Sequence, residues 1–187
     1  MLNINTQYLG FFELKKTRSA PSLIVIHHTC TKTPAKTRSA LKSQGYSTHF
    51  EVDTDGTIYQ YADIKYVASH CGSANYYAIG IDVTHLEDAK FPEAQVQAVE
   101  DLVDFLCAKH KISHVVTMKL EGIVPHCALC VTKCPNGFPM ERLNKPDPSE
   151  EEDGFDVIKR LDQLIGMALV DGRREEAREL CKRRLGL

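Results

Sequence analysis

Between Pro125 and Pro135 the chain reads Pro-His-Cys-Ala-Leu-Cys-Val-Thr-Lys-Cys-Pro, gathering one imidazole and three thiols between two prolines. Neutral imidazole nitrogen and thiolate sulfur are zinc donors. A structural zinc site closes on four protein ligands, whereas a catalytic one uses three and keeps a position for water. Two ligand sets fit the segment. Cys127, Cys130 and Cys134 with His126 make a closed knuckle; alternatively His126 and Cys134 supply two ligands and a distant residue the third. The run Leu23-Ile24-Val25-Ile26-His27-His28-Thr29 offers such a residue, because an apolar stretch after Pro21 reads as a buried strand. Side chains alternate faces along a strand. His27 and His28 therefore point to opposite sides, and only one of them joins a given site.

The elements that must position these groups follow from pattern. Pro34 starts a helix in the polar stretch after the His27 strand, and Gly45 follows its end. Phe50 and Val52 alternate with polar neighbours in Thr48-His49-Phe50-Glu51-Val52-Asp53, Asp55-Gly56 is a turn signal, and Thr57-Ile58-Tyr59-Gln60-Tyr61 resumes a strand, which predicts a hairpin. Ile79-Gly80-Ile81-Asp82-Val83 is a further strand with Asp82 on its polar face. Phe91-Pro92-Glu93 opens the longest helical pattern, with Val96, Val99, Leu102, Val103 and Leu106 at helical spacing up to Lys109-His110-Lys111. A short strand is expected at His114-Val115-Val116. Strands with intervening helices imply an α/β (α+β) fold with a central mixed β-sheet flanked by helices, and a site on loops and strand ends at its edge.

A polar, acidic, proline-punctuated linker is expected at 144–154, dividing a domain at 1–143 from an appendage at 155–187. In the appendage Val157, Leu161, Leu164, Ile165 and Leu169 form one amphipathic stripe, and Ala177, Leu180 and Cys181 a second after Asp171-Gly172. This predicts a C-terminal helical hairpin packed on the domain or on a second copy, which would make a homo-oligomer.

The length of 187 residues suits one domain with an appendage, and the hydrophobic share of 43% is that of a globular chain. A formal charge of −2 supplies no attraction to nucleic-acid phosphate. The first residues have no basic region followed by an apolar run, and no segment is apolar enough to span a bilayer, so the expectation is a soluble protein made in the cytoplasm without a cleavable signal. Seven cysteines, an odd number unevenly spread, are unlike a secreted disulfide framework. Cys107 and Cys181 fall in helical patterns, where a thiol packs as a small hydrophobe.

From Leu23 to Pro135 the sequence resembles the zinc-dependent N-acetylmuramoyl-L-alanine amidases of the type-2 family, which includes phage amidase-type lysozymes and peptidoglycan recognition proteins. The resemblance rests on Val-Ile-His-His-Thr at 25–29, Thr-His-Phe followed by Asp-Gly at 48–56, Ser-His-Cys-Gly-Ser-Ala-Asn at 69–75, Ile-Gly-Ile-Asp at 79–82, and His126 eight residues before Cys134-Pro135. It implies an amidase/recognition-protein-like fold and a zinc ion held open by His27, His126 and Cys134. Cys127 and Cys130 depart from the family pattern and read as packing residues, a redox-sensitive pair, or part of a second metal site.

The same resemblance implies roles for the remaining groups. Asp82 stands where some members carry an acidic catalytic residue, one carbon shorter than their glutamate. Thr48 takes the place of a tyrosine found in other members. Thr132, with Lys133 adjacent, matches the position that stabilises the transition state. His70 matches a histidine of the family's groove, whereas His49 reads as structural. Asn75 is a substrate-side candidate whose side chain also suits holding its own loop. The implied activity is hydrolysis of the amide between N-acetylmuramic acid and L-alanine in peptidoglycan or soluble muropeptides. The competing readings are a recognition module that binds without cutting and a zinc-knuckle interaction protein. An endolysin, an injected toxin and a cytosolic recycling enzyme are equally compatible settings.

Overall fold

The apolar run at 23–26, with His27 and His28 after it, forms an interior strand of the sheet. In the computed structural model, which describes residues 2–10, 12, 20–86 and 89–145, strand β2 (Leu23–His28) lies between two parallel neighbours, β5 (Ala78–Val83) and β6 (Gly122–Pro125). A strand buried on both faces must be apolar throughout. Alternation sends Ile24 and Ile26 to a core shared with Ile79, Ile81 and Val99, and sends Leu23 and Val25 to a second cluster with Ala74, Ala78, Val124 and Leu129.

Six strands make the sheet, in the order β1-β4-β3-β5-β2-β6. β3 (Phe50–Val52) and β4 (Ile58–Gln60) are the expected antiparallel hairpin, and every other pairing is parallel. Gly56 at the hairpin turn has φ +86°, and a Cβ there would meet the Ala94 carbonyl oxygen at 2.8 Å, so glycine serves both the turn and the contact behind it. The edge strand β1 (Ile4–Thr6) was not expected from the sequence. The strand placed at His114–Val116 is corrected: only Val116 makes a single bridge, to Ile123, and β6 takes the position beside β2.

Helix α1 (Pro34–Gln44) starts and stops on the residues that the sequence marks. The Thr33 side chain accepts from the Lys36 amide, Pro34 opens the first turn, and Gly45 closes the helix at φ +69°. Helix α2 (Glu93–His110) lays Val96, Val99, Leu102, Val103 and Leu106 on the sheet, and burying each such side chain stabilises the fold by about 1.5–3 kcal/mol. Gln95 ties its first turn to the sheet by donating to the carbonyls of Val52 (3.0 Å) and Thr84 (2.7 Å). Among the described residues no helix is long and apolar enough to cross a membrane. The predicted C-terminal hairpin, and the linker from residue 146, lie outside the described residues.

Register brings the chemistry to one edge. Glu51 of β3 pairs with Asp82 of β5, and Asp82 pairs with His27 of β2, which places three polar residues side by side on one face near the carboxyl ends of parallel strands. His126 follows immediately after β6.

A candidate metal centre at the carboxyl edge of the sheet

His27 is the inward-facing residue at the end of β2 and is 6% exposed. His126 opens a short 3₁₀ turn after Pro125, and its ring centroid lies 4.3 Å from that of His27. Cys134 reaches the same point from the following loop, with Sγ 4.0 Å from Nδ1 of His27. One donor atom from each of His27, His126 and Cys134 falls within 4.8 Å of the others, and among the described residues no other group of three His, Cys, Asp or Glu side chains does so.

The surroundings hold these donors in place. The His28 backbone N–H donates to Cys134 Sγ at 3.2 Å, so His28 contributes its amide here while its imidazole Nε2 meets the exposed Cys30 thiol at 3.0 Å. Thr132 Oγ1 accepts from the Cys134 N–H at 3.2 Å, and the Cys127 N–H donates to the Cys134 carbonyl at 2.7 Å. His27 Nε2 lies 2.9 Å from His70 Nδ1. The His70 ring rests on Gly80, where a Cβ would approach ring atoms to 2.9 Å. His70 and Cys71 donate their backbone N–H groups to Asn75 Oδ1 at 3.0 and 2.7 Å.

Burial keeps all three donors neutral in the metal-free protein. Burial, followed by the neighbouring histidines, keeps the His27 imidazole well below its usual range, and burial brings His126 down to about 4. Burial also pushes the Cys134 thiol up to about 12. Two imidazoles held neutral with lone pairs to offer, beside a thiol that needs a positive neighbour to ionise, form a donor set suited to zinc.

Asp82 stands one strand from His27. Burial first, and then the Glu51 carboxyl, raise it to about 8, against the pull of the Thr48 hydroxyl. The three donors and Asp82 line a cleft of about 450 Å³. Its lining also includes His70, Thr132 and Lys133, together with Thr37, Ala40, Leu41 and Gln44 of α1 and Tyr46.

The predicted site residues thus divide into two groups. His27, His126, Cys134, Asp82, Thr132, Lys133 and His70 share the cleft. Thr48 does not line it: its side chain is fully buried, its hydroxyl donates to the Phe50 carbonyl at 3.4 Å, and it pulls the Asp82 pKa down against burial. Asn75 holds the His70 loop. Cys127 and Cys130 are half-buried, with Cys130 packed against the second apolar cluster. His49 is fully buried and accepts from the Gly80 N–H at 3.0 Å, leaving Nε2 to donate to the Tyr66 carbonyl. Sequence reasoning missed Glu51. Its place opposite Phe50 and Val52 repeats the place of Asp82 opposite Ile81 and Val83, and that shared alternation was the available signal.

The sequence model of the N-acetylmuramoyl-L-alanine amidase family matches residues 17–137. Among solved structures, N-acetylmuramoyl-L-alanine amidase LysC from Clostridium intestinale is 27% identical with a TM-score of 0.66, over 75% of this chain and 94% of that one. A mutant endolysin from Bacillus subtilis is 23% identical (TM-score 0.60; 76% of this chain, 97% of that one). Drosophila PGRP-LB is 18% identical (TM-score 0.56; 73% and 89%) and shares the fold. No curated protein matches the sequence significantly.

Proposed function

The chain belongs to the N-acetylmuramoyl-L-alanine amidase family, and from that premise we propose that it hydrolyses the amide joining the lactyl group of N-acetylmuramic acid to L-alanine of the stem peptide, using zinc held by His27, His126 and Cys134. The observation that carries this reading is the convergence of those three donors from two distant segments, beside a buried carboxyl, at the floor of an open cleft. Zinc bound there supplies Lewis-acid polarisation of the scissile carbonyl and a water acidified towards neutrality.

The chain's own groups do the rest. Asp82, in its carboxylate form, accepts a proton from the attacking water and returns it to the leaving L-alanine amine. Thr132 and Lys133, exposed on the loop beside Cys134, donate to the oxygen that gains charge as the carbonyl carbon becomes tetrahedral. His70 fixes the ring of His27 through the Nε2 contact, leaving Nδ1 for the metal. Residues 1–143 act as the catalytic domain and 155–187 as an appendage, and the protein meets its substrate in the cell wall after lysis or export, or as cytosolic muropeptides.

Incubation with purified sacculi and with soluble anhydro-muropeptides, followed by mass separation of the products, tests the proposal. Free stem peptides beginning with L-alanine are expected. Retention of muropeptide with no new amino termini would establish a binding module instead.

A further inference from the structure

The two helices are attached to the sheet in different ways. Helix α2 buries seven residues, five of them Val or Leu, whereas α1 buries only Pro34 and Thr37. An eleven-residue helix is marginal in water on its own, and apart from partly buried Leu41 against the Tyr61 cluster α1 has little apolar anchorage. It does have a polar one. Glu51 is fully buried beneath it. Its Oε1 accepts from Thr84 Oγ1 at 2.6 Å and its Oε2 from the Tyr61 hydroxyl at 2.6 Å. The Thr37 hydroxyl of α1, bonded to Thr31 Oγ1 at 2.6 Å, partly offsets the upward push of burial on this carboxyl, and Arg38 of α1 donates to the Tyr61 hydroxyl at 3.1 Å. Two consecutive α1 residues thus act on one carboxyl, Thr37 electrostatically and Arg38 through a phenol.

Helix α1 is also a wall of the cleft that His27, His126 and Cys134 line, through Thr37, Ala40, Leu41 and Gln44. We propose that Glu51 is a positioning residue for substrate: by clamping α1 to the sheet it sets the distance between that wall and the metal-ligating side chains. The nature of the substrate rests on the amidase reading above; the clamp itself does not. Bonds to a carboxylate are stronger than neutral ones, so a single group suffices to hold a helix that lacks an apolar stripe. A ligand that spans the cleft meets both sides, and slack in one side appears as weaker binding rather than slower chemistry.

The test compares the zinc-loaded full chain with its Glu51→Gln and Tyr61→Phe variants. On a soluble muropeptide, Glu51→Gln should raise KM about tenfold, the scale of one lost charged hydrogen bond, with maximal kcat close to the parent; only the acid limb of the pH profile moves, downward, because Asp82 loses a like-charged neighbour. Tyr61→Phe keeps the ring in the core and removes the phenol that joins Arg38 to Glu51, with the Thr84 bond to the carboxyl left in place, so a shift in the same direction is expected, and this variant decides the matter if Glu51→Gln does not fold. Amide exchange should quicken across α1 in both variants and stay unchanged in α2. Loss of maximal kcat with an unaltered KM would overturn the proposal, because Glu51 would then act through Asp82. So would unchanged exchange in α1. A parent that cleaves no muropeptide would defeat the amidase reading, while the exchange comparison would still decide the clamp.

Discussion

Nε2 of His27 sits 2.9 Å from Nδ1 of His70, while Nδ1 of the same ring lies 4.0 Å from Cys134 Sγ. In the tautomer that carries its proton on Nε2, His27 donates to His70 and Nδ1 keeps its lone pair for a metal; His70 in turn is seated on Gly80. His70→Ala should therefore weaken zinc binding about 10–100-fold without removing a ligand. Gly80→Ala should act the same way, by displacing the ring. Competition with a chromogenic chelator measures both, and parental affinity in both variants would remove His70 from this role.

Zinc content distinguishes the open three-ligand site from a cysteine knuckle. His27→Ala, His126→Ala and Cys134→Ala proteins should each lose tightly bound zinc, whereas Cys127→Ala and Cys130→Ala should keep one equivalent. Metal analysis after dialysis is the measurement. Full zinc retention in His27→Ala would sink the open site.

Asp82→Asn should keep zinc and lose about 10²–10⁴ in turnover, the usual contribution of a positioned acid–base group. It should also change how stability depends on pH in the metal-free protein. The folded Asp82 carboxyl titrates at about 8, above the unfolded value of about 3.9. Its stabilising contribution is therefore complete below about pH 4 and is lost as pH rises through about 8. Urea midpoints of parent and variant should diverge across that window, the parent declining relative to Asp82→Asn as pH rises. Parallel curves would show that the carboxyl is not held protonated by burial.

Every group assigned to the site precedes Pro135, and the last described residue, Lys145, is itself tied down, its ammonium bridging to Asp104 at 2.6 Å and its N–H donating to the His114 carbonyl at 2.9 Å. Truncation after Lys145 should leave zinc binding and turnover of a small muropeptide intact while altering solubility, oligomeric state or activity on whole cell walls. A folded, zinc-loaded truncate that is inactive on the small substrate would place part of the active site in residues 146–187.

Local chemistry made much of this fold legible from sequence. Pro34 and Gly45 bracket α1, Asp55-Gly56 marks the hairpin, and the valine and leucine spacing defines α2, because each signal acts within a few residues of itself. β6 escaped because Gly122 and Pro125 disguise a strand only four residues long, while His114–Val116 carries the stronger β composition; parallel pairing with β2 decided between them. β1 has three residues and draws its stability from β4, which no local pattern records. For the site, strand alternation was enough to separate His27 from His28 and to put Asp82 on the polar face. It could not reveal that Thr48 stands behind Asp82, or that Glu51 gathers Tyr61, Thr84 and α1. Those contacts cross strands and depend on register.

The adjacent histidines at the end of β2 also make the protein's chemistry sensitive to chain length at one place. His27 gives its side chain to the centre and His28 gives its backbone N–H to Cys134, so both faces and the edge of a single dipeptide are in use. Six pairs to β5 and four to β6 lock this phase. Deleting or inserting one residue between Leu23 and Ile26 would invert the inside and outside of everything downstream in the strand, turning an imidazole away from Cys134 and presenting its neighbour from the wrong face. Substitutions from Leu23 to Ile26 trade packing for packing, whereas a change in the length of that run changes which histidine faces Cys134.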